Sequence, residues 1–390
     1  MNIALCYESV LPSRGGCETY IGDLSRRLAQ DGHDIHLYAS RWDSAALPDA
    51  MHFHKLDVPK GMRFLRPWRF GRAVEKALAG RDHDVTVGFD KTWGQDVLYP
   101  QGGLHKASVA HNRRKHANSL LRTVASLAKW FDPAAWSFAK LERKQYLGMT
   151  RPIVVVNSEM VRGHFAKFYT IGSEKIRVVR SAIDPTRFDA ADRAERRMSE
   201  RTTWGIADDV PVGLFVAMNY RLKGLAPLIR ALAHLPRETP LKIAVVGHPK
   251  FARYERLAES LGVRDRVIFL GFRASPKDAY FAADFLVHPT FYDPCSLVVL
   301  EALACGLPVI TTRYNGAGEL LSPPSNGFVI DDPHDARELG DALTILADPA
   351  YRATASVAAR GAAQAWTFEP HYAALLGIFE EVRTRKLAAR

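Results

Sequence analysis

Short apolar runs alternate with amphipathic segments along the first half of the chain. Strand-like runs occupy Asn2–Cys6, Asp34–Tyr38, Asp84–Gly88 and Ile153–Val156, and helical spacing covers Glu18–Gln30. Continuous apolar strands separated by helices are typical of a parallel sheet covered on both faces. The pattern therefore predicts a doubly wound α/β domain.

The same alternation begins again after about residue 185. An amphipathic helix is predicted over residues 226–235, and the predicted strands of this half are 212–216, 242–247, 267–271, 285–289 and 309–312. We therefore expect two domains of the same class, over residues 1–184 and 185–366. We expect a last helix within residues 367–390 to pack back on the first domain.

Bulk properties narrow the class of protein. The chain has 390 residues and 47% hydrophobic residues, and no apolar run approaches the ~20 residues that span a bilayer. The first residues lack a basic region and include Glu8, so no signal peptide is predicted and a cytoplasmic location is expected. The cysteines have no metal-ligand spacing and are expected to be reduced thiols; they are Cys6, Cys17, Cys295 and Cys305.

Much of the net charge of +11 comes from residues 105–147, which contain nine Lys/Arg and only two acidic residues, Asp132 and Glu142. Five aromatic residues are interleaved there: Trp130, Phe131, Trp136, Phe138 and Tyr146. Basic residues with interfacial aromatics suit an anionic membrane surface, which is the interpretation we favour. A solvated helical insertion is the alternative. Nucleic acid would accept the same composition, but no recognised module accompanies it, so no nucleic-acid partner is expected.

Two carboxylates, Asp293 and Glu301, lie eight residues apart in the segment 291–312. The sequence Asp-Pro-Cys-Ser predicts a helix start with proline in the first turn, a helix over 297–305, and an end at 306–308. A helix N-terminus can hold a phosphate. A ligand with a central diphosphate and hydroxyls at both ends, a nucleotide sugar, would suit this arrangement. The alternative is a capping Asp293 and a Glu301 in a structural ion pair.

Two further motifs follow predicted strands. Gly15-Gly16 lies between the first strand and the first helix, where glycines let a backbone approach a ligand. Arg221 and Lys223 follow the strand at 212–216, where cations can neutralise a diphosphate. No Asp-x-Asp follows a strand, so no catalytic metal is expected.

Taken together, these motifs resemble those of the family 4 retaining glycosyltransferases. The resemblance covers nearly the whole chain and also includes the segments 181–188, 267–271 and 282–289. It implies the GT-B fold, in which two Rossmann-like domains are separated by a cleft. Within the family, residues 87–97 and the basic segment after them are most similar to glucosyltransferases of the lipopolysaccharide core.

The resemblance also implies residue roles. Glu301 would bind the ribose hydroxyls, Asp293 the donor sugar, and Arg221 with Lys223 the diphosphate. The amides of Gly15, Gly16, Leu297 and Val298 would meet phosphate or sugar, and Phe272 and Arg273 would flank the base. His105 is the nearest candidate for a histidine often found in the family. The family usually has Glu at the position of Asp293, which puts donor choice in doubt.

The sequence thus predicts a retaining, metal-independent hexosyltransferase without a cofactor. The donor would be a nucleotide sugar such as a UDP-hexose, and the acceptor an anionic glycolipid such as the lipopolysaccharide core. The enzyme would act at the inner face of the cytoplasmic membrane, bound peripherally through residues 105–147. Two alternatives stay open: a soluble or lipid-phosphate acceptor, and a sugar-nucleotide-binding protein without turnover.

Overall fold

A computed structural model describes residues 1–11, 16–59, 61–62, 64–116, 118, 123–124, 132–148, 152–273 and 275–389. The chain forms two compact units. The first contains residues 1–113, 118–180 and 369–390, and the second contains 114–117 and 181–368. Each unit is built on one large parallel sheet.

The described residues of the first unit form nine strands. They are β1 (Asn2–Cys6), β2 (Ser9–Val10), β3 (Asp34–Ala39), β4 (Arg41–Trp42), β5 (His52–Lys55), β6 (Val85–Phe89), β7 (Val97–Tyr99), β8 (Ile153–Val156) and β9 (Ile176–Val178). Seven of them form one sheet in the order β5-β3-β1-β6-β7-β8-β9, and β2 pairs with β4. All of these pairings are parallel.

Helices cover this sheet. They are α1 (Cys17–Gln30), α2 (Arg66–Leu78), α3 (His105–Arg114), α4 (Pro133–Leu147) and α5 (Glu159–Phe168). One apolar cluster between the sheet and α2 includes Cys6, Tyr38, Phe70 and Val74, which are almost fully buried.

The second unit repeats this architecture. Its strands are β10 (Val212–Ala217), β11 (Lys242–Gly247), β12 (Val267–Gly271), β13 (Phe285–His288), β14 (Val309–Thr312) and β15 (Gly327–Ile330). Its helices are α6 (Arg193–Trp204), α7 (Leu225–Leu232), α8 (Ala252–Ser260), α9 (Lys277–Ala282), α10 (Leu297–Ala304), α11 (Ala336–Ala347) and α12 (Pro349–Ala363). The strand order is β12-β11-β10-β13-β14-β15, again all parallel.

The second sheet lies between two apolar clusters because neighbouring residues of a strand point to opposite faces. Leu214 of β10 belongs to one cluster, together with Val299 and Leu303 of α10. The adjacent Phe215 belongs to the other cluster, which also contains Leu228. Burial on both faces explains why these strands are continuous apolar runs rather than alternating ones.

The last helix, α13 (Phe368–Ala388), provides residues 369–388 of the first unit. Tyr20 Oη and His371 Nε2 are hydrogen-bonded at 2.7 Å, and Lys386 Nζ donates to Asp96 at 2.7 Å. Of the helices in the described ranges, none is long and apolar enough to cross a bilayer.

In both sheets the first strand lies inside the sheet, and later strands are added first on one side of it and then on the other. The strand order therefore reverses at the first strand, which is the Rossmann order. The predicted fold class, two doubly wound parallel-sheet domains, is therefore confirmed. The reversal occurs between β1 and β6 in the first unit and between β10 and β13 in the second. These two switch points are where an open α/β sheet offers a crevice to ligands. The predicted bounds of the elements agree with the structure to within one residue, except that the helix expected over 226–235 ends at Leu232.

Candidate functional site

The loops after β10 and β13 are joined at the switch point of the second sheet. The backbone N–H of Phe291 donates to the carbonyl of Leu222 at 2.9 Å, and Thr290 Oγ1 donates to the same carbonyl at 3.3 Å. These bonds tie the loop that contains Lys223 to the loop that leads to Asp293. A cation and a carboxylate from distant parts of the sequence are thereby held at one ligand-binding edge.

Glycine is required where the two loops meet. Gly224 has φ +85°, and a Cβ added there would lie 2.0 Å from the carbonyl oxygen of Pro289. Any larger residue would push the loops apart, and most would also be strained at this φ. The close approach of backbones at Gly224 is what brings Lys223 next to the end of β13.

Lys223 Nζ donates a hydrogen bond to Asp293 Oδ2, and His288 Nε2 lies 3.8 Å from the same oxygen. The side chains of Lys223 and Asp293 are 20% and 14% exposed, and that of His288 is 1% exposed. Ser296 Oγ lies 3.4 Å from His288 Nε2. The site is therefore a largely buried group of one cation, one carboxylate and one imidazole.

The charges of this group follow from its surroundings. Burial by itself raises the pKa of Asp293, but Lys223 and His288 outweigh that effect and hold the pKa well below its usual value. Burial lowers the pKa of His288, although Asp293 partly opposes this. Asp293 is thus ionised and His288 neutral at neutral pH. An ionised carboxylate can accept hydroxyl hydrogen bonds, and the Lys223 ammonium can meet a phosphate.

Glu301 lies in the second turn of α10 and is half-buried. Tyr280 of α9 is fully buried, and its hydroxyl donates to Glu301 Oε2 at 2.6 Å. Burial raises the pKa of Glu301, while the Tyr280 hydrogen bond and the charge of Arg187 lower it. The carboxylate therefore has one oxygen fixed by Tyr280, which leaves acceptor capacity for hydroxyl groups of a ligand.

Helix α10 begins at Leu297, as the helix expected over 297–305 does, but its first turn lacks the expected proline. The helix begins at Leu297, so Pro294 precedes the first turn and Ser296 is the N-cap residue, without a side-chain capping bond. Asp293 lies three residues before the N-cap residue, and its carboxylate accepts from Lys223. Asn315 accepts from the backbone N–H of Ser296 at 3.2 Å. The first-turn amides of Leu297 and Val298 lie where a helix has no internal acceptors for its N–H groups.

Three other predicted site residues of the second unit, Arg221, Phe272 and Arg273, do not belong to the Lys223–Asp293–His288 group. Arg221 is exposed, and Phe272 is 59% exposed in the loop after β12. Arg273 Nη1 donates to Glu200 of α6 at 2.8 Å, so its guanidinium is engaged by a carboxylate. Phe272, rather than Arg273, has a face available for stacking on a base.

In the first unit, Gly16 has φ +61° and immediately precedes α1, while Gly15 lies outside the described residues. His105 begins α3, and its backbone N–H donates to Glu142. Its ring centroid lies 5.1 Å from that of Phe138. Glu142 is 5% exposed and also accepts from Tyr169 Oη at 2.8 Å, so this carboxylate anchors the start of α3.

A pocket of about 310 Å³ lies at the switch point of the first sheet. Its polar lining includes three acids and three cations: Glu8, Glu18, Asp90, Arg41, Arg66 and Lys91. Arg66 and Glu8 form an ion pair. Asp90 has φ +53° and accepts from the backbone N–H of Gly102 at 3.1 Å, and burial raises its pKa. Such a mixed polar lining suits a hydroxyl-rich ligand.

The basic segment 105–147 contains the helices α3 and α4, and its aromatic residues differ in their exposure to solvent. Tyr146 is 5% exposed and packs against Phe165, so this residue is core and does not belong to an interfacial aromatic group. Trp130 and Phe131 lie outside the described residues. Trp136 and Leu147 of α4 are 61% and 50% exposed.

Four of the exposed residues on α4 have the spacing that places side chains on a single helix face: Trp136, Lys140, Arg143 and Leu147. We call these four residues the α4 stripe. The same helix provides Phe138 to the lining of the pocket in the first unit. The stripe has the apolar and basic composition of a surface helix that contacts lipid.

Several residues of these sites were not expected from the sequence. Tyr280 and His288 complete the second-unit site, and Glu8, Arg66 and Asp90 line the pocket. The sequence did contain a signal for Glu8 and Asp90, because each lies two residues after the carboxyl end of a predicted strand. Tyr280 has no comparable signal, because its side chain is recognisable only through its contact with Glu301.

Two family profiles match successive parts of the chain. Residues 14–187 match the profile described as Glycosyltransferase Family 4, and residues 197–361 match that described as Glycosyl transferases group 1. Between them they match a large part of each unit. They include the switch-point loops of the second unit and all but the first strand of the first unit's sheet.

Curated relatives match along most of the chain. The D-inositol 3-phosphate glycosyltransferase of Saccharomonospora viridis is 31% identical over 94% of this chain and 89% of its own length. The lipopolysaccharide glucosyltransferase WaaG of Escherichia coli is 28% identical over 88% of each chain. A crystal structure of WaaG, a glycosyltransferase involved in lipopolysaccharide biosynthesis, matches with a TM-score of 0.74 at 26% identity. That match covers 93% of this chain and 95% of WaaG.

Proposed function

The chain belongs to the family 4 glycosyltransferases and has the GT-B fold, and from this premise we propose that it is a retaining, metal-independent hexosyltransferase. It would move a hexose from a nucleotide sugar to a glycolipid held at an anionic membrane. Glycosyl transfer follows from the family. The donor, the stereochemistry, the absence of a catalytic metal and the acceptor are the parts that we propose.

The observation that supports the donor site best is the Lys223–Asp293 pair beside α10. A diphosphate next to the first-turn amides of Leu297 and Val298 would attract the Lys223 ammonium, with exposed Arg221 as a second cation. Asp293 would then be released to bind hydroxyls of the sugar. Glu301 would accept hydrogen bonds from the ribose.

In this proposal, the chemistry of the leaving group explains why the anomeric configuration of the sugar is retained. Charge grows on the diphosphate as the glycosidic bond breaks, and fixed cations stabilise that charge most in the transition state. Lys223 would do so. The departing phosphate can accept the proton of the attacking hydroxyl on the same face of the sugar, so the new bond would keep the α configuration of the donor.

The acceptor proposal rests on the first unit. The pocket lined by Glu8, Arg66 and Asp90 offers both charged acceptors and donors for sugar hydroxyls, and Phe138 links its lining to α4. The α4 stripe would contact lipid headgroups while the pocket receives the sugar end of the same molecule. Similarity to WaaG favours lipopolysaccharide core as the acceptor. Similarity to D-inositol 3-phosphate glycosyltransferase keeps a soluble phosphorylated acceptor as the second candidate.

A donor and acceptor screen tests the proposal. Purified protein is incubated with labelled UDP- and GDP-hexoses, with lipopolysaccharide core acceptors or inositol phosphate, and the release of nucleoside diphosphate is measured. We expect release that depends on a membrane-held glycolipid, and an α linkage in the product by NMR. A β linkage would refute retention, and turnover only with inositol phosphate would refute the glycolipid acceptor.

A further inference from the structure

Three metal-ligating side chains come together on one face of the first sheet, outside both sites described above. Asp34 and His36 are two residues apart on β3 and therefore point to the same face. His52 of β5 is the direct neighbour of His36 in the parallel register. Within the part of the chain that the structure describes, this is the one group of three such side chains whose ligand atoms lie within 4.8 Å of one another.

The spacing of the ligand atoms suits a small cation. His52 Nε2 lies 3.1 Å from Asp34 Oδ1, and His36 Nε2 lies 3.3 Å from Asp34 Oδ2. A tetrahedral zinc site with bonds of about 2.0–2.1 Å separates neighbouring ligand atoms by about 3.3 Å. The imidazoles of His36 and His52 are stacked with centroids 4.7 Å apart, so both Nε2 atoms are presented on one side.

A second layer of side chains orients His36. Its Nδ1 lies 2.9 Å from His54 Nε2, and the ring of His54 stacks on Tyr38 with centroids 4.4 Å apart. Ligating histidines commonly use their other ring nitrogen in such a hydrogen bond, which fixes the ring and its tautomer. With the proton on His36 Nδ1, its Nε2 is free to bind a metal.

Arg81 acts against this tautomer. Its Nη1 lies 3.4 Å from His54 Nδ1, and a guanidinium can only donate, so this contact favours a proton on His54 Nε2 instead. The contact is long and Arg81 is exposed, so it is weak. A metal ion on His36 Nε2 requires the proton on His36 Nδ1 and therefore competes with this contact through the tautomer of His54. Removing Arg81 should therefore make metal binding tighter.

We propose that Asp34, His36 and His52 bind one divalent transition-metal ion of the zinc class, with water completing its coordination. Two imidazoles and one carboxylate select such ions over Mg²⁺ and Ca²⁺, which prefer oxygen ligands. The ligands lie on the amino-terminal parts of β3 and β5, whereas the pocket of this unit lies at the carboxyl ends of strands. The ion is therefore structural: it fastens β5, a four-residue strand at the edge of the sheet, to β3.

Metal binding to full-length protein freed of any affinity tag tests the site. Zn²⁺ is titrated in competition with a chromophoric chelator, and Co²⁺ is followed by its visible absorption. We expect one equivalent per chain in the wild type, and at least a tenfold loss of affinity in His52→Gln and in Asp34→Asn. Arg81→Met should bind several-fold more tightly. His234→Gln, at an exposed histidine of the second unit, is the matched control and should bind as the wild type does.

The structural role has its own readout. Zn²⁺ should raise the melting temperature of the wild type but not of His52→Gln, and it should slow hydrogen exchange at the amides of residues 52–55. The side chain of His52 is 59% exposed, so this variant should fold normally, which circular dichroism checks. Absence of stoichiometric binding, or equal binding by wild type and His52→Gln, would overturn the site. Binding without slower exchange in β5 would overturn the role as a fastener.

Discussion

Lys223 Nζ donates to Asp293 Oδ2, which joins residues 70 positions apart in the sequence at the reversal point of the second sheet. The ammonium and the carboxylate neutralise each other in a largely buried place. If Lys223 binds the donor diphosphate as we propose, the pair keeps that cation from being buried without a partner before the donor binds. The nucleotide sugar would then exchange this contact for contacts with the ligand, so stability and donor binding would be linked through one ion pair.

The first prediction concerns the stability of this pair. Lys223→Met should lower the free energy of unfolding by about 2–3 kcal/mol, because it leaves the Asp293 carboxylate buried without a cation, and the residual exposure of both groups limits the cost. Adding Asp293→Asn should restore much of the loss. Urea unfolding of the two single variants and the double variant measures the coupling. Additive losses would contradict it.

This loss should depend on pH. In the wild type the pKa of Asp293 is lowered, so its stabilising contribution is present above the unfolded pKa of about 4 and disappears as pH falls through the folded value. Without Lys223, Asp293 loses the strongest influence that lowers its pKa, so the folded variant holds the proton to a higher pH than the folded wild type does. The difference in stability between wild type and Lys223→Met should therefore be larger at neutral pH than at acidic pH. A constant difference would contradict the assignment.

The second prediction concerns Glu301. Glu301→Gln should weaken binding of the donor by about 1–3 kcal/mol, the usual cost of losing a charged hydrogen bond. Wild-type affinity should fall as pH decreases through the pKa of Glu301, which burial raises above 4.5. In Tyr280→Phe the fall should begin at a higher pH, because the Tyr280 hydroxyl lowers that pKa. Calorimetry with a UDP-hexose between pH 5 and 8 checks both shifts. Unchanged affinity in a folded Glu301→Gln variant would exclude ribose binding by this residue.

The third prediction concerns the metal-independent mechanism. Turnover should survive EDTA, both in the wild type and in Asp34→Asn, which lacks the proposed surface metal site. Lys223→Ala should lower kcat more than it raises KM, because the charge that Lys223 balances grows in the transition state. Lys223→Arg is the conservative control and should retain more of kcat. Loss of turnover in EDTA that a divalent ion restores in both proteins would show that a metal takes part.

The fourth prediction concerns the α4 stripe. Each basic residue near an anionic membrane contributes about 1 kcal/mol, with a reach of about 8 Å at physiological salt. Lys140→Ser with Arg143→Ser should therefore weaken binding to anionic vesicles by at least tenfold while leaving donor affinity unchanged. Lys250→Ser with Arg256→Ser removes the same charge from exposed positions of the second unit and is the matched control. Vesicle sedimentation with equal losses in the two variants would argue against the stripe.

The sequence by itself determined the local elements of this protein. The strands Asn2–Cys6, Lys242–Gly247 and Val309–Thr312 have the bounds that their apolar runs predict. Local periodicity reports which faces of an element are buried, and a fully buried strand between helices is compatible with few sheet types. For this reason the class of both domains was accessible from the sequence, and the spacing of Asp293 and Glu301 indicated a ligand site.

Tertiary structure decided which side chains meet. The sequence placed Pro294 in the first turn of the helix, but α10 begins at Leu297 with Ser296 as its N-cap residue, and the Asp293 carboxylate accepts from Lys223. Composition placed Glu142 and Tyr146 in a basic surface segment, yet both are buried. A count of charges does not distinguish a residue on the solvated face of α4 from one on its buried face.

The same limit applies to the histidines of the first sheet. The sequence shows that Asp34 and His36 are two residues apart, and that His52 and His54 are as well, which in a strand places each pair on one face. Only the register that pairs His36 with His52 brings the three ligand atoms together. The hydrophobic periodicity that predicts a strand can be read from residues close together in the sequence. Strand order and register depend on the packing of segments that are distant in the chain. Sites built across strands are therefore fixed by the fold.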